Sequence, residues 1–254
     1  MSKKTIMMAT VKSQECIATD IYSLWISCTE VAKEAKCGQF INIYTNNKSL
    51  LLPRPISICE IDKEKGMLHL VYRVVGKGTD EFKDLKENDQ IKILGPIGNG
   101  FPLTDKKALC IGGGIGIPPM LETAKNLKNP IIVAGYRDEL FLDKELSEAG
   151  TLFVSSDNGA FGTKGNVMDA IKANNIDCEV IYACGPMIML KAIKEYAQSK
   201  GITAYISLEE RMACGVGACL GCVCKTVEKD HHTHVNNTRV CTEGPVFDAK
   251  EVEI

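Results

Sequence analysis

The stretch Ala108-Leu-Cys-Ile-Gly112-Gly-Gly-Ile-Gly116-Ile-Pro-Pro-Met120 decides the fold of the second half of the chain. A short apolar run passes into a loop with four glycines, and prolines then stand where a helix begins. Glycines at such a turn let the backbone approach a diphosphate, and the first helical turn offers free N–H groups and a positive partial charge. The spacing differs from the Rossmann fingerprint. Many α/β proteins use a glycine-rich first turn for packing, so the loop alone does not define a nucleotide site.

Strands and helices alternate on the C-terminal side of this loop. The predicted strands span 108–111, 131–134, 152–155, 180–184 and 204–207, and the predicted helices follow Pro118 and span about 140–148, 167–173 and 187–200. Apolar strands that alternate with amphipathic helices predict a parallel sheet covered on both faces. The loops at 157–159 and 184–187 also follow strands, at the edge where open parallel sheets bind ligands.

The N-terminal side has a different pattern, with short β-rich runs separated by turn residues. These runs span 17–29, 40–44, 56–60, 67–75 and 90–94. Many short strands with little helical periodicity predict a small antiparallel barrel. The segment 95–102 is rich in glycine and proline and predicts a domain boundary.

Two motifs in the predicted barrel carry groups that can bind phosphate. Arg54 and Ser57 stand beside prolines in an apolar run, where a guanidinium fork suits a phosphate and a hydroxyl suits a flavin ring or its chain. The run from Val71 ends in Gly76-Lys-Gly-Thr79, whose N–H and O–H groups can bind a diphosphate. Each motif is weak by itself, because an arginine in a barrel strand is more often a surface or salt-bridge residue.

Five of the twelve cysteines crowd into residues 214–241. Their C-x4-C-x2-C spacing with a distant fourth cysteine is that of a plant-type [2Fe-2S] ferredoxin. The glycines between the first two cysteines let the loop turn its N–H groups toward the sulfurs. We predict that the ligands are Cys214, Cys219, Cys222 and Cys241. Cys224 does not fit the register and is predicted to be a buried free thiol.

Zinc is the alternative metal for this segment. Cys219 and Cys222 with His231, His232 and His234 have a tolerable zinc-site spacing. A Rieske-type cluster is disfavoured because the segment has no Cys-x-His pair. A zinc site needs no glycine-rich loop between its ligands, so the spacing favours iron.

Composition excludes several functional classes. The chain has 254 residues, 45% of them hydrophobic and 24% charged, and a net charge of -2. These values indicate about two compact soluble domains with a small appendage, and no basic excess for nucleic acid or an anionic membrane. The N-terminus has no signal-peptide pattern and no run approaches 18 apolar residues. We therefore expect a cytoplasmic protein whose seven scattered cysteines are free thiols.

Four motifs in one order resemble the ferredoxin-NADP reductase superfamily: Arg-Pro-Ile-Ser at 54–57, Gly-Lys-Gly-Thr at 76–79, Gly-Gly-Gly-Ile-Gly at 112–116 and Cys-Gly-Pro-Met at 184–187. The cysteine segment, with Ser-Leu-Glu-Glu-Arg-Met-Ala before Cys214 and Glu-Gly-Pro-Val-Phe after Cys241, resembles the electron transfer subunits of NAD-dependent (class 1B) dihydroorotate dehydrogenase. The resemblance spans essentially the whole chain.

The resemblance implies a mixed fold with three parts. These are an antiparallel β-barrel FAD domain at 1–102, an α/β parallel-sheet NAD domain at 103–208 and a [2Fe-2S] domain at 209–254. The implied FAD-binding residues are Arg54, Pro55, Ile56, Ser57, Val71, Tyr72, Arg73, Gly78 and Thr79. The implied NAD-binding residues are Gly112, Gly113, Gly114, Gly116, Cys184, Gly185, Pro186 and Met187. Ile56 stands where many superfamily reductases have tyrosine or phenylalanine.

The resemblance also implies a partner and a role. The partner is an FMN-containing catalytic subunit that oxidises dihydroorotate in pyrimidine (UMP) biosynthesis, in a heterotetramer with two copies of each chain. NAD carries two electrons as hydride and a cluster carries one at a time, so FAD has to stand between them. No catalytic acid or base is expected on this chain.

Several alternatives remain open from the sequence. One is a flavin and iron-sulfur subunit of another NAD(P)H oxidoreductase, of the sulfide dehydrogenase, NADPH-ferredoxin oxidoreductase or hydrogenase type. Another is a zinc-stabilised nucleotide-binding regulator. Coenzyme choice depends on the run at 134–139, where Arg137 could meet a 2′-phosphate and Asp138 and Glu139 could favour a ribose diol.

Overall fold

The first half of the chain forms a closed barrel. The structure is a computed structural model and describes residues 4–229 and 234–254. The barrel strands are β1 (Thr5–Ala18), β2 (Ile21–Ser27), β3 (Phe40–Ile43), β4 (Arg54–Asp62), β5 (Met67–Arg73) and β6 (Gln90–Ile97). They close in the order β1-β2-β5-β4-β3-β6, with every pairing antiparallel. Two short helices, α1 (Thr29–Glu34) and α2 (Lys77–Phe82), lie between strands. The predicted barrel is confirmed.

The barrel differs from the sequence prediction in its first strands. The pattern gave one run at 17–29, but a turn at Asp20, with φ of +58°, separates β1 from β2. β1 was not predicted because its middle is polar and a bulge between Val11 and Ser13 breaks the alternation. β6 also continues to Ile97, into the segment predicted as a boundary.

The second half forms a seven-stranded sheet with helices. Its strands are β7 (Ala108–Gly113), β8 (Ile131–Tyr136), β9 (Thr151–Ser156), β10 (Thr163–Lys164), β11 (Val180–Cys184), β12 (Thr203–Ser207) and the later β15 (Val246–Asp248). The helices are α3 (Pro118–Lys125), α4 (Asp143–Ala149), α5 (Val167–Ala173) and α6 (Met187–Lys200). The order is β10-β9-β8-β7-β11-β12-β15, and every pairing is parallel except that of β12 with β15. Every residue of β7 and β11 is buried, as expected for strands covered on both faces.

The cysteine segment packs on both of these bodies. Its small hairpin pairs β13 (Val223–Lys225) with β14 (Asn237–Arg239), and β15 then pairs antiparallel with β12. Cys222 and Cys241 belong to one hydrophobic cluster with Ile206 of the sheet and Ile97 of the barrel. The segment therefore shares the core of its neighbours. The predicted domain divisions after residues 102 and 208 remain predictions.

Barrel and sheet are joined through α3. The backbone N–H of Ile61 donates to Glu122 on α3 at 3.0 Å, and Lys125 on α3 pairs with Glu60 on β4. None of the helices in the described ranges has the length and apolar character to cross a membrane.

Candidate functional site

A cleft of about 1080 Å³ lies between strands β4 and β5 of the barrel and the segment after β12. This volume suits a large cofactor. Eight of the nine predicted FAD-binding residues line it: Arg54, Pro55, Ile56, Ser57, Val71, Tyr72, Arg73 and Thr79. The structure thus brings together residues from two motifs that are about twenty positions apart in the sequence.

The ninth residue, Gly78, contacts the cleft through Arg54. A Cβ atom built on Gly78 would overlap the Arg54 guanidinium, so the glycine makes room for that side chain. Arg54 also donates to the carbonyl oxygen of Leu52. The guanidinium is therefore held at the cleft between Leu52, in the loop before β4, and the first turn of α2, where it can bind phosphate oxygens.

Two predicted residues are engaged within the protein. The Thr79 hydroxyl accepts from the backbone N–H of Val75 at 3.0 Å and donates to the carbonyl oxygen of Gly76 at 3.1 Å. Tyr72 is buried in the barrel core, and its hydroxyl donates to Gln14 at 3.0 Å. Burial raises the pKa of Tyr72. The sequence pattern predicts that the Thr79 hydroxyl can donate to a diphosphate, whereas in the fold this hydroxyl closes the turn that begins α2.

Sequence reasoning missed part of the cleft. Leu50, Leu51 and Leu52 line it from the loop before β4, and residues 209–212 line it after β12. The surrounding protein raises the pKa of the Glu209 carboxyl by desolvation. The sequence signal for residues 209–212 is their position: only Ala213 separates them from Cys214, so they connect this cleft to the cysteine loop.

A second cleft of about 630 Å³ lies at the C-terminal ends of the parallel strands. Gly113, Gly114 and Pro186, three of the predicted nucleotide-binding residues, line it. Arg73 lines both clefts, so the two clefts meet at the end of β5. A ligand in either cleft therefore approaches the other at this arginine.

The remaining predicted nucleotide residues pack the loops. A Cβ on Gly112 would lie 2.7 Å from the Cα of Ile117, and a Cβ on Gly116 would overlap the carbonyl oxygen of Cys184. Gly185, with φ of +155°, lies against Gly113, where a Cβ would be 3.1 Å from the backbone nitrogen. These glycines and Cys184 shape the cleft without lining it.

Helix α6 contributes other residues to the cleft than the predicted Met187. Met187 is 40% exposed and is not among the lining residues, whereas Ile188 and Met189 are. Ser155 at the end of β9 also lines the cleft, and its buried hydroxyl has no partner in the described residues. From the sequence, Ser155 could have been identified only by its position near the end of a predicted strand.

The cysteine loop is built to stabilise a thiolate. The Cys214 sulfur accepts backbone N–H bonds from Val216 at 3.4 Å, Ala218 at 3.3 Å and Cys219 at 3.4 Å. Burial raises the pKa of Cys214, but these N–H groups outweigh burial and lower it to about 6. The loop reaches this geometry through Gly215, whose φ is +67°.

The other two predicted ligands are buried. Cys222 and Cys241 are 3% and 1% exposed. Burial, followed by the neighbouring Cys222 thiol, raises the pKa of Cys241 to about 12. Cys219 is a side-chain neighbour of Cys214, and Cys222 is one of Cys241, which is also close enough to Cys214 for the two thiols to interact electrostatically. Cys224 is half-buried, and burial and Glu210 raise its pKa to about 11.

This arrangement fits a two-iron cluster better than zinc. Tetrahedral zinc with Zn–S bonds of about 2.3 Å holds its sulfurs about 3.8 Å apart. Among the described residues, only Cys59, Glu60 and His69 bring three possible ligand atoms within 4.8 Å of one another. The described cysteines of the loop form no such group. Two neighbouring pairs, Cys214 with Cys219 and Cys222 with Cys241, would instead provide two ligands to each iron of a [2Fe-2S] cluster. Of the histidines in the zinc alternative, His231 and His232 lie outside the described residues.

Comparison with known proteins matches both ends of the chain to family models and nearly the whole chain to relatives. Residues 8–101 match the oxidoreductase FAD-binding domain, and residues 209–253 match the iron-sulfur cluster binding domain of dihydroorotate dehydrogenase B. A protein of Fusobacterium nucleatum subsp. nucleatum is 41% identical over 96% of this chain and 97% of its own length. One of Geobacillus kaustophilus is 40% identical over 96% of each chain. Both are named dihydroorotate dehydrogenase B (NAD(+)), electron transfer subunit.

Solved structures agree with the fold. The structure reported for an NADH-dependent reduced ferredoxin-NADP oxidoreductase superposes with a TM-score of 0.86 at 30% identity, over 96% of this chain and 89% of that one. A ferredoxin NADP+ reductase from Neisseria gonorrhoeae, with bound FAD and NADP, gives a TM-score of 0.64 at 16% identity, over 81% and 94% of the chains, and shows the fold alone.

Fold and sites define a flavin-dependent oxidoreductase of the ferredoxin reductase type with an added iron-sulfur domain. The identity over nearly the whole length makes the assignment more specific. The chain belongs to the family of electron transfer subunits of dihydroorotate dehydrogenase B.

Proposed function

We propose that this chain transfers electrons between NAD(H) and the FMN of a catalytic subunit that oxidises dihydroorotate. The observation that carries the proposal is the connected order of its three sites. Arg73 lines both clefts, and residues 209–212 run from the larger cleft to the loop that holds Cys214. A bound flavin supplies the exchange between two-electron hydride transfer and the one-electron steps of a cluster. The chain positions these groups and contributes no general acid or base.

The larger cleft is the proposed FAD site. Arg54, held between Gly78 and Leu52, supplies a fixed cation for the diphosphate. The proposed FAD-binding residues are Arg54, Pro55, Ile56, Ser57, Val71, Tyr72, Arg73, Gly78 and Thr79. Tyr72 and Thr79 support the site through the contacts that shape β5 and α2.

The smaller cleft is the proposed NAD site. Gly113, Gly114 and Pro186 form its floor, and Gly112, Gly116, Cys184, Gly185 and Met187 set the course of the two loops. Arg137, Asp138 and Asp157 all line the cleft. We propose NAD as the coenzyme, because the two carboxylates outnumber the one guanidinium and would oppose a 2′-phosphate. The names of the relatives, which specify NAD(+), support the same choice.

Cys214, Cys219, Cys222 and Cys241 are the proposed ligands of a [2Fe-2S] cluster. The proposed domains are residues 1–102 for FAD, 103–208 for NAD and 209–254 for the cluster. The two matched family models, at 8–101 and 209–253, support these divisions.

The proposed partner is an FMN-containing catalytic subunit, in a cytoplasmic heterotetramer with two copies of each chain that serves UMP biosynthesis. The names of the relatives support a partner, because an electron transfer subunit requires a separate subunit that binds dihydroorotate. We expect that co-expression of the two chains yields dihydroorotate-dependent reduction of NAD+, with little reduction of NADP+. A protein isolated without flavin and iron would overturn the proposal.

One comparison supports a second candidate function. The 30% identity to the NADH-dependent reduced ferredoxin-NADP oxidoreductase structure covers 96% of this chain. A subunit of that kind would reduce ferredoxin or NADP+ and would give no activity with dihydroorotate. The co-expression assay separates the two functions, because only the first depends on dihydroorotate.

A further inference from the structure

Asn42 on β3 is a buried polar residue without a partner. Its side chain is 0% exposed, and neither its amide nitrogen nor its amide oxygen has a hydrogen-bond partner among the described residues. A buried amide is costly unless it is hydrogen-bonded, so an unpaired one needs an explanation.

The position of Asn42 is set by the alternation of β3. Ile41 and Ile43 belong to the barrel core, so Asn42 points to the opposite face together with Phe40. Phe40 lines the larger cleft, and Asn42 is paired with Pro55 of the proposed FAD site. Asn42 therefore lies on the outer wall of the barrel beside that cleft.

The other neighbour of Asn42 is the cysteine loop. A Cβ built on Gly215 would overlap the Asn42 amide nitrogen and lie 3.4 Å from its Cγ. Gly215 directly follows Cys214, and its φ of +67° lets the loop come this close. The amide is thus packed against the loop between the first two proposed ligands.

Hydrogen bonds to sulfur are one of the factors that set the reduction potential of an iron-sulfur cluster. The loop already directs backbone N–H groups from Val216, Ala218 and Cys219 to the Cys214 sulfur. Asn42 is a side-chain donor next to the same loop, and it comes from the barrel. One-electron reduction adds negative charge to a cluster, and a nearby N–H donor stabilises that charge.

We propose that the Asn42 amide donates a hydrogen bond to a sulfur of the bound cluster and raises its reduction potential. This inference rests on the proposed function, since it requires the cluster to be present. Asn42 makes no bond to iron in this proposal. It acts through the cluster sulfur, by stabilising the negative charge of the reduced cluster.

The first test is an EPR-monitored redox titration of the isolated chain with its cofactors bound. Leucine has the same branching and the same number of non-hydrogen side-chain atoms as asparagine, but it has no hydrogen-bond donor. We expect Asn42→Leu to lower the reduced-to-oxidised ratio at a fixed potential about fivefold, the equivalent of one hydrogen bond. Asn42→Asp should lower it further, because it adds negative charge. Unchanged potentials in both variants, with full iron content, would overturn the proposal.

A control variant separates this effect from general loss of packing. Thr123 is also 0% exposed, and it lies on α3, whose apolar residues form a different hydrophobic cluster from that of Cys222 and Cys241. Thr123→Val removes its bond to the Pro119 carbonyl oxygen and should leave the potential unchanged. If this control shifts the potential as much as Asn42→Leu does, the effect is nonspecific and the proposal fails.

The second test uses the unaltered protein and covers the case in which the variants lose the cluster. Protein labelled with 15N in its asparagine side chains is reduced, and pulsed EPR measures nitrogen couplings. We expect a side-chain 15N coupling to the reduced cluster, and a cluster signal without that coupling would overturn this inference alone. Absence of any [2Fe-2S] signal would instead overturn the proposed function.

Discussion

The Glu139 carboxylate accepts two hydrogen bonds from Thr19, one from its backbone N–H and one from its hydroxyl, each 2.7 Å long. Thr19 lies in the turn between β1 and β2, whereas Glu139 follows β8 at the smaller cleft. These bonds lower the pKa of Glu139. The contact joins the barrel to the rim of the proposed NAD site, so this carboxylate is not free to bind a ribose diol.

Loss of this contact should weaken coenzyme binding without changing coenzyme choice. We expect Glu139→Gln to raise the KM for NADH about three- to fivefold, with a small effect on kcat, because two hydrogen bonds to a carboxylate are weakened. Steady-state kinetics with NADH and NADPH measure both effects. A large gain in NADPH turnover would show that Glu139 selects the coenzyme directly. Thr19→Val, which removes only the hydroxyl, should give an intermediate KM.

Gly78 and Gly76 offer a matched pair for the proposed FAD site. Gly78→Ala should displace the Arg54 guanidinium and weaken FAD binding about tenfold, because a charge-assisted contact to phosphate is lost. Alanine itself suits the helix, so the fold should persist. Gly76 has an extended φ of -174° and nothing within 4 Å of a built Cβ, and Gly76→Ala should leave FAD binding unchanged. Equal FAD loss in both variants, measured by flavin absorbance after desalting, would contradict this explanation.

Substitution of the five clustered cysteines should show that four bind iron and that Cys224 does not. Serine at Cys222 or Cys241 should abolish the visible absorbance of the cluster and its EPR signal after dithionite reduction, because a ligand to iron is lost. Cys224→Ser should retain both signals, since the half-buried Cys224 lies outside the two cysteine pairs. Iron content per chain is the check. Loss of iron from Cys224→Ser with retention in Cys222→Ser would reverse the assignment.

Stability at acidic pH should depend on Glu60. Burial would raise the pKa of Glu60, but His69, at 2.8 Å, and Lys125 outweigh it and lower the pKa to about 2. A glutamate carboxyl in an unfolded chain has a pKa of about 4.3. The stabilisation that Glu60 contributes to the fold is therefore complete above about pH 5 and is lost as the pH falls toward about 2. Burial raises the pKa of neighbouring Glu122, which opposes part of this effect.

We expect Glu60→Gln to lower the free energy of unfolding at pH 7 by about 2 kcal/mol, because the buried pairing is lost. The difference from the unaltered protein should shrink between pH 5 and pH 3, because the unfolded chain takes up a proton there that Glu60 of the folded protein, with a pKa of about 2, does not bind. Thermal unfolding over this range measures both. The exposed Glu64 provides a control, and a difference that is constant with pH, or equal for Glu64→Gln, would contradict the prediction.

The local features of this protein could be predicted from its sequence because they depend on residues close together in the chain. The glycine loop after β7, the alternation of strands and helices and the C-x4-C-x2-C spacing are of this kind. Binary patterning and ligand spacing indicated the barrel, the parallel sheet and the cluster cysteines. The boundaries failed where patterning is weak, as in β1, whose middle is polar.

The tertiary structure alone decided which groups meet and which are already engaged. Thr19 and Glu139 are 120 positions apart, and Asn42 meets Gly215 only because β3 turns its outer face toward the cysteine loop. The bonds that occupy the Thr79 hydroxyl are local, but no periodicity or spacing reveals them. A motif specifies which chemical groups are present, whereas packing determines their partners, burial and charge, and those properties depend on contacts between distant segments.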